Sequence, residues 1–201
     1  HKPCISGCPV KIEIPEIKSS DTVMPTYFDI SLYDEENYSN VYLGKDYKYK
    51  IALPAPALYG QFNNLENVDY VLNGLKKMGF DKVVEVSKAA ELISSATRIT
   101  IESGVLPKPV ISSACPAVLR LIRTRFPNLI GNLLPLCAPV DLAGTMAREE
   151  AKAETGLSDE EIGVFFLTPC PAKRTATTRP LCYEKSGING AIAIKDIYPV
   201  L

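Results

Sequence analysis

VISSACPAV (110–118) and GVFFLTPCPAK (163–173) share one plan: an apolar run, small or hydroxyl residues, then a cysteine directly before a proline. Proline suits the first turn of a helix, where its missing N–H would have had no partner anyway. Each stretch therefore reads as a strand, a tight link and a helix start, with a thiol at the junction. Free backbone N–H groups at such a junction favour a thiolate. A single cysteine in this setting is usually a small core residue. Two in matched settings point to a shared ligand, and soft thiolates in a water-poor pocket suit iron–sulfur ligation.

The surrounding pattern supplies a frame for these junctions. KYKIALP (48–54) reads as a buried strand that Pro54 and Pro56 stop. Over 65–79, Val68, Val71, Leu72, Leu75 and Met78 recur at helical spacing, and Gly79 supplies the stop. A second strand is expected at 81–86 and a helix at 88–103, capped by Ser87 and ended by Gly104. A third strand at 109–112, a helix at 116–126 and a short apolar stretch at 132–136 follow. Pro139 opens a long helix that ends near Gly156. Ser158 with Glu161 has capping-box spacing, and strands are expected at 163–167 and 191–194. Strands alternating with helices predict an α/β fold, a mostly parallel sheet with flanking helices. Ligands of such sheets sit beyond the carboxyl ends of the strands, where Cys115 and Cys170 are both expected.

Composition excludes several function classes. The 201 residues suffice for one or two domains, and 46% hydrophobic with 22% charged is ordinary for a soluble globular protein. A net charge of −1 gives no polyanion-binding surface, so no nucleic-acid partner is expected. No apolar run approaches the ~20 residues of a membrane span, and no secretory signal opens the sequence. The expected compartment is the reducing cytoplasm. There a disulfide between the two Cys-Pro sites is disfavoured, and the six cysteines stay available for metal or for the core. His1 is the only histidine, which argues against His-based zinc sites and against Ser-His or Cys-His catalysis.

These residues carry a resemblance. SSACPAVLRLIRTRFPNLIGNL (112–133) followed by TPCPAK (168–173) resembles the catalytic domain of iron-only (FeFe) hydrogenases. The family's first two signatures are Thr-Ser-Cys-Cys-Pro and Met-Pro-Cys-x-x-Lys. PAPAL (54–58), GLKKMGFDKVVEVSKAAEL (74–92) and APVDLAG (138–144) extend the likeness in the same order, from about residue 49 to about residue 198. The spelling SSACP with TPCPAK is most similar to the sensory branch of the family, whose members are often fused to PAS or signalling domains.

The resemblance implies two α/β lobes holding an H-cluster, a 4Fe–4S cubane bridged by a cysteine sulfur to a two-iron unit with CO, cyanide and a dithiolate. It implies Cys115 and Cys170 as two cubane ligands and Lys173 as the donor to a cyanide nitrogen. Pro56 and Ala57 would line the dithiolate, and Pro139 would sit near the distal iron. The departures also carry meaning. Ala114 stands where active members have a thiol that passes protons to the two-iron unit. Thr168 replaces the methionine of the second signature, and Ala176 replaces a glutamate three residues past the lysine. Lys173, Ala114 and Thr168 are thus the positions that bear on catalysis. A missing proton relay predicts slow turnover with cofactor binding retained, which suits a hydrogen sensor.

The family's third signature, source of the last two cubane cysteines, does not occur in this sequence. Residues 49–201 are therefore expected to form one lobe and part of the second, as a fragment lacking its C-terminal part. Residues 1–48 read as an arm or linker. CISGCP (4–9) is open to three readings: the remnant of a ferredoxin-like module, a turn that returns Cys4 and Cys8 to complete the cubane, or no metal role. Cys137 and Cys182 are expected to be buried thiols. Arg120, Arg123 and Arg125 read as solvation or a docking face, and REEAKAE (148–154) as a solvated helix face.

Three functions compete: a hydrogen-binding sensor, a ferredoxin-linked hydrogenase with H2 as substrate, and a hydrogenase-fold iron–sulfur carrier without a two-iron unit.

Overall fold

The computed structural model describes residues 47–181 and 186–201. Its centre is a four-stranded sheet in the order β2-β1-β3-β4, every pair parallel. The strands are β1 (Tyr49–Pro54), β2 (Lys82–Val83), β3 (Ile162–Thr168) and β4 (Gly190–Ala193). β1 and β3 run in register from Tyr49↔Ile162 to Pro54↔Leu167. All seven residues of β3 are buried, as an unbroken apolar run in a central parallel strand requires. The register brings the Pro-Ala-Pro turn after β1 and the Cys-Pro loop after β3 out side by side at the carboxyl edge.

Among the described residues six α-helices flank the sheet: α1 (Asp69–Lys77), α2 (Val86–Glu102), α3 (Pro116–Arg125), α4 (Pro139–Thr155), α5 (Pro171–Thr178) and α6 (Ile194–Ile197). One sheet face presents Ile51, Leu53, Ile162, Val164 and Phe166 to Val86 and Ala89 of α2 and to Ala143, Ala147 and Ala151 of α4. The alanines at helical spacing let α4 approach the sheet closely. Alternation sends Phe165 to the other face. There its ring meets Tyr47 edge-on at 5.6 Å and lies 6.4 Å from Phe80. Gly163 has no room for a side chain, because a Cβ there would lie 2.6 Å from the Phe165 ring.

The α/β class and the parallel sheet match the sequence expectation, and so do both ends of α4. Gly156 closes α4 in the left-handed region at φ 70°, which glycine adopts without a Cβ penalty. The Ser158 N–H and hydroxyl both donate to Glu161 Oε2 at 2.9 Å. The Lys48 ammonium, bonded to the same carboxylate, and then those Ser158 bonds hold the Glu161 carboxyl down at about 2.

Three local expectations fail. The second strand has only two residues, because helix geometry begins at Val86; the cap residue is Glu85, and Ser87 lies inside the first turn. The helix expected over 65–79 is shorter, Asp69–Lys77. The strand expected at 109–112 is a single parallel bridge, Ile111↔Leu133, outside the sheet. Prolines 107, 109 and 116 remove ladder donors around it, and Asn132 Nδ2 instead donates to the carbonyls of Pro107 and Pro109 at 3.1 and 2.9 Å.

The REEAKAE face also differs. Arg148 is buried, and its guanidinium donates to the carbonyls of Asp159 (2.8 Å), Ile162 (2.9 Å) and Gly187 (3.1 Å) and to Asn189 Oδ1. Its neighbours follow the expectation, with Lys152 pairing with Glu149 and Asp159 in solvent. Replacing Arg148 with Met would strand several buried carbonyls at once. Arg148→Met is expected to lower unfolding stability by about 3 kcal/mol. In urea the midpoint should fall while the slope stays constant.

Candidate functional site

Cys115 and Cys170 occupy the same local geometry. Each is the N-cap of a helix with proline next, α3 for Cys115 and α5 for Cys170. Their backbone angles nearly coincide, φ −105° and ψ 108° against φ −100° and ψ 112°. The extended angle before proline follows from the clash of its ring with helical backbone. Each approach is braced by a hydroxyl two residues before the N–H it accepts. Thr168 Oγ1 accepts from Cys170 N at 3.2 Å, and Ser112 Oγ accepts from Ala114 N at 3.3 Å. Thr168 is therefore a buried brace for the Cys170 loop. Cys115, Cys137 and Cys170 are free thiols; Cys115 is exposed and the other two are half-buried.

The routes to the two sites differ. Cys170 follows directly from β3, at the carboxyl edge of the sheet as expected. Cys115 is not at the end of a sheet strand, because its approach is the isolated bridge at Ile111. α3 nevertheless packs against α5. Arg120 Nη2 donates to the Arg179 carbonyl at 3.0 Å and Arg123 Nη1 to the Leu181 carbonyl at 3.2 Å. These two arginines tie the two cysteine-led helices together, a role that sequence reading assigned to solvation or docking.

Between these helices and the start of α4 lies a small, open cleft with a cavity volume of about 40 Å³. Ser113 and Ala114 line it from the first Cys-Pro junction, Lys173 and Ala176 from α5, and Val140 and Asp141 from α4. Apart from Thr177 the rest of its wall is apolar, with Leu119, Phe166 and Ile188 prominent. Ser113 is buried and donates to the Leu136 carbonyl at 2.6 Å, which fixes this wall. Lys173 Nζ stands 5.7 Å from the centre of the Phe166 ring, a cation–π contact that holds the ammonium over an apolar floor. Asp141 and Lys173 are the only ionisable groups among the described lining residues. Burial raises the Asp141 carboxyl above the usual aspartate value, and the Lys173 charge partly opposes this.

The cleft thus gathers Ala114 and Lys173 from the sequence-predicted set. Pro139, the first residue of α4, is half-buried between the lining residues Ala138 and Val140. Pro56 and Ala57 are exposed on a 3-10 turn beyond β1 and are not among its lining residues. Cys4, Cys8 and Cys182 lie outside the described residues. Cys137, expected to be buried, is half-exposed in the loop before α4. Asp141 escaped the sequence reading of individual residues. Its signal was available inside APVDLAG, as an acidic residue in the first turn of an otherwise apolar helix start.

Free thiols at two matched helix starts are donors of the soft kind that iron–sulfur clusters take, so the residues present fit part of such a site. Among the described residues no three His, Cys, Asp or Glu side chains converge as a metal site, and two thiols are half of what a cubane uses.

A parallel α/β domain with two matched Cys-Pro helix starts, whose neighbours Ala114, Pro116 and Lys173 line a largely apolar cleft, is the class defined here. Residues 48–199 match the family model of the iron only hydrogenase large subunit, C-terminal domain, and the chain belongs to that family. It is a hydrogenase-like iron–sulfur domain. Iron hydrogenase 1 of Clostridium pasteurianum is 25% identical over 158 residues, covering 73% of this chain and 27% of that protein. The cytosolic Fe-S cluster assembly factor NAR1 of Saccharomyces cerevisiae is 25% identical over 120 residues, covering 60% of this chain and 24% of its own length. An FeFe-hydrogenase structure from Chlamydomonas reinhardtii shares the fold at a TM-score of 0.64 and 19% identity, over 76% of this chain and 42% of that one. The chain therefore spans less than half the length of these relatives. Among the described residues no helix is long and apolar enough to cross a membrane.

Exposure ranks the thiols. In metal-free, reduced protein a maleimide should label Cys115 several-fold faster than Cys170, as read by peptide mass mapping. Equal rates would mean that the second Cys-Pro loop opens freely to solvent.

Proposed function

We propose that the chain is the thiol-bearing part of a hydrogen-binding H-cluster domain that works as a slow sensor. The observation that carries this reading is the pair of closely matched Cys-Pro caps on two packed helices, whose neighbours Ala114, Pro116 and Lys173 line one cleft. In this reading Cys115 and Cys170 hold two corners of a 4Fe–4S cubane. Lys173 donates from the cleft floor to a ligand nitrogen, a charge-assisted bond suited to a dry pocket. Pro139 borders the same space at the head of α4, and Pro56 and Ala57 approach from the turn after β1. When bound, the two-iron unit supplies the heterolytic chemistry, H2 = 2 H+ + 2 e−. The protein binds the cluster, excludes water through Leu119, Phe166 and Ile188, and fixes the ammonium.

The third signature does not occur in residues 1–201, and two further cubane thiolates are needed beside Cys115 and Cys170. Cys4 and Cys8 are the candidates within the sequence, as completion of the site or as the remnant of a ferredoxin-like module. A ferredoxin-like electron partner and a PAS or other signalling domain belong to the same proposal, as does an anaerobic cytoplasmic setting.

The methyl groups of Ala114 and Ala176 favour a sensor over a bulk hydrogenase. Both line the cleft, and the family resemblance implies a thiol and a glutamate at these two positions in active members. Losing a positioned acid typically costs about 10²–10⁴-fold in rate and leaves binding intact. A second reading is favoured by the assembly-factor relatives: a cubane-bearing scaffold without a two-iron unit.

Maturation under anaerobic conditions, in the polypeptide that carries this domain, separates these readings. CO and cyanide infrared bands with hydrogen evolution about 10²-fold or more below that of relay-bearing hydrogenases are expected. Cys115→Ser and Cys170→Ser should each abolish the cubane signal. A cubane signal without CO and cyanide bands would replace the sensor by the scaffold, and rapid evolution would make the protein a catalyst.

A further inference from the structure

Asp141 has no part in the site as derived so far. It is the third residue of α4, and it lines the cleft that Ala114, Ala176 and Lys173 also line. Among the described residues its side chain makes no hydrogen bond, although its backbone N–H is spent on the Ala138 carbonyl at 3.0 Å. A half-buried carboxylate without a donor is costly unless something in the cleft uses it. Its electrostatic surroundings are simple. Lys173 faces it from α5, whereas Glu85 and Lys88 line a separate groove with Glu149 and Glu150. The residues of β1 and β3 that pack against α4 are apolar.

We infer that Asp141 is the proton-carrying group of this cleft, placed on the α4 wall opposite the positions where Ala114 and Ala176 have lost theirs. The carboxylic acid gives its proton to water or a ligand base in the cleft and becomes the carboxylate. The carboxylate then takes a proton back, and no electron moves. The inference rests on the proposed function only in taking the cleft as the reaction chamber. Burial favours the neutral acid and the Lys173 ammonium favours the carboxylate, so the pair sets the pH at which the group exchanges its proton. The helix start adds a smaller stabilisation of the carboxylate. A bland role at the helix start leaves the raised titration, which burial alone produces, but predicts no effect on proton exchange.

Two measurements test this. In metal-free protein, infrared difference spectra against Asp141→Asn isolate the carboxylic-acid C=O stretch of one residue across a pH titration. The stretch should persist above the ordinary aspartate range, and Lys173→Met should move its midpoint further up, because a cation that favoured the carboxylate is gone. An ordinary midpoint, or one that ignores Lys173, overturns the inference. In the matured protein, H2/D2O isotope exchange should fall at least 10-fold in Asp141→Asn with unchanged CO and cyanide bands, and Asp141→Glu should restore most of it. Unchanged exchange in Asp141→Asn overturns the inference even if the bands form. If the bands never form, the proposed function falls and the metal-free titration alone decides: a raised midpoint that tracks Lys173 keeps Asp141 as the acid–base group of a different cleft chemistry, and an ordinary one removes it. Circular dichroism and melting of Asp141→Asn confirm that the near-isosteric variant is folded.

Discussion

The buried guanidinium of Arg148 holds the arrangement together. It has no carboxylate partner among its described bonds and spends its fork on three backbone carbonyls and one side-chain amide. Those acceptors belong to the entrance of β3 and to the loop that leads into β4. Because Arg148 sits just past the middle of α4, it fixes that helix against the strand whose far end carries Thr168 and leads into Cys170. Asn189 completes the clamp, since its Oδ1 also accepts from Val164 N at 2.8 Å. A charge buried in this way is satisfied by geometry, and its removal leaves acceptors that nothing else can reach.

From that anchored frame the two Cys-Pro junctions are reached by different means. Proline and a hydroxyl set the local angles, so both cysteines adopt the same backbone conformation whether or not a sheet strand precedes them. Arg120 and Arg123 then carry the first junction to the second by bonding to carbonyls beyond α5. The result is a cleft whose walls come from α3, α4, α5 and β3, almost wholly apolar, with one acid and one base. In such a space each charge is worth more than in water, and so is each missing acid.

The sheet order also explains what the Pro-Ala-Pro turn can do. β1 and β3 are adjacent and end together, which puts Pro56 and Ala57 at the same edge as the Cys170 loop without making them part of the cleft wall. Shared edge and shared cavity are different degrees of proximity. Only the second is supported for Ala114, Lys173 and Asp141.

Periodicity and punctuation in the chain were enough for the parallel α/β class, for β1 and β3 as buried strands, and for the ends of α4 at Pro139 and Gly156. They were also enough for both thiols at helix starts. Each of these depends on residues within a turn or two of one another: proline's fixed φ, glycine's left-handed freedom, the alternation of an apolar strand. What the chain could not announce were Arg148 as a buried clamp, Arg120 and Arg123 as ties, the collapse of 109–112 to a single bridge, and Asp141 opposite Lys173. These depend on partners 11 to 59 residues away, such as the Arg179 carbonyl that receives Arg120. An arginine on a helix has the same local pattern whether it meets water or a distant carbonyl, and only packing in three dimensions selects between them.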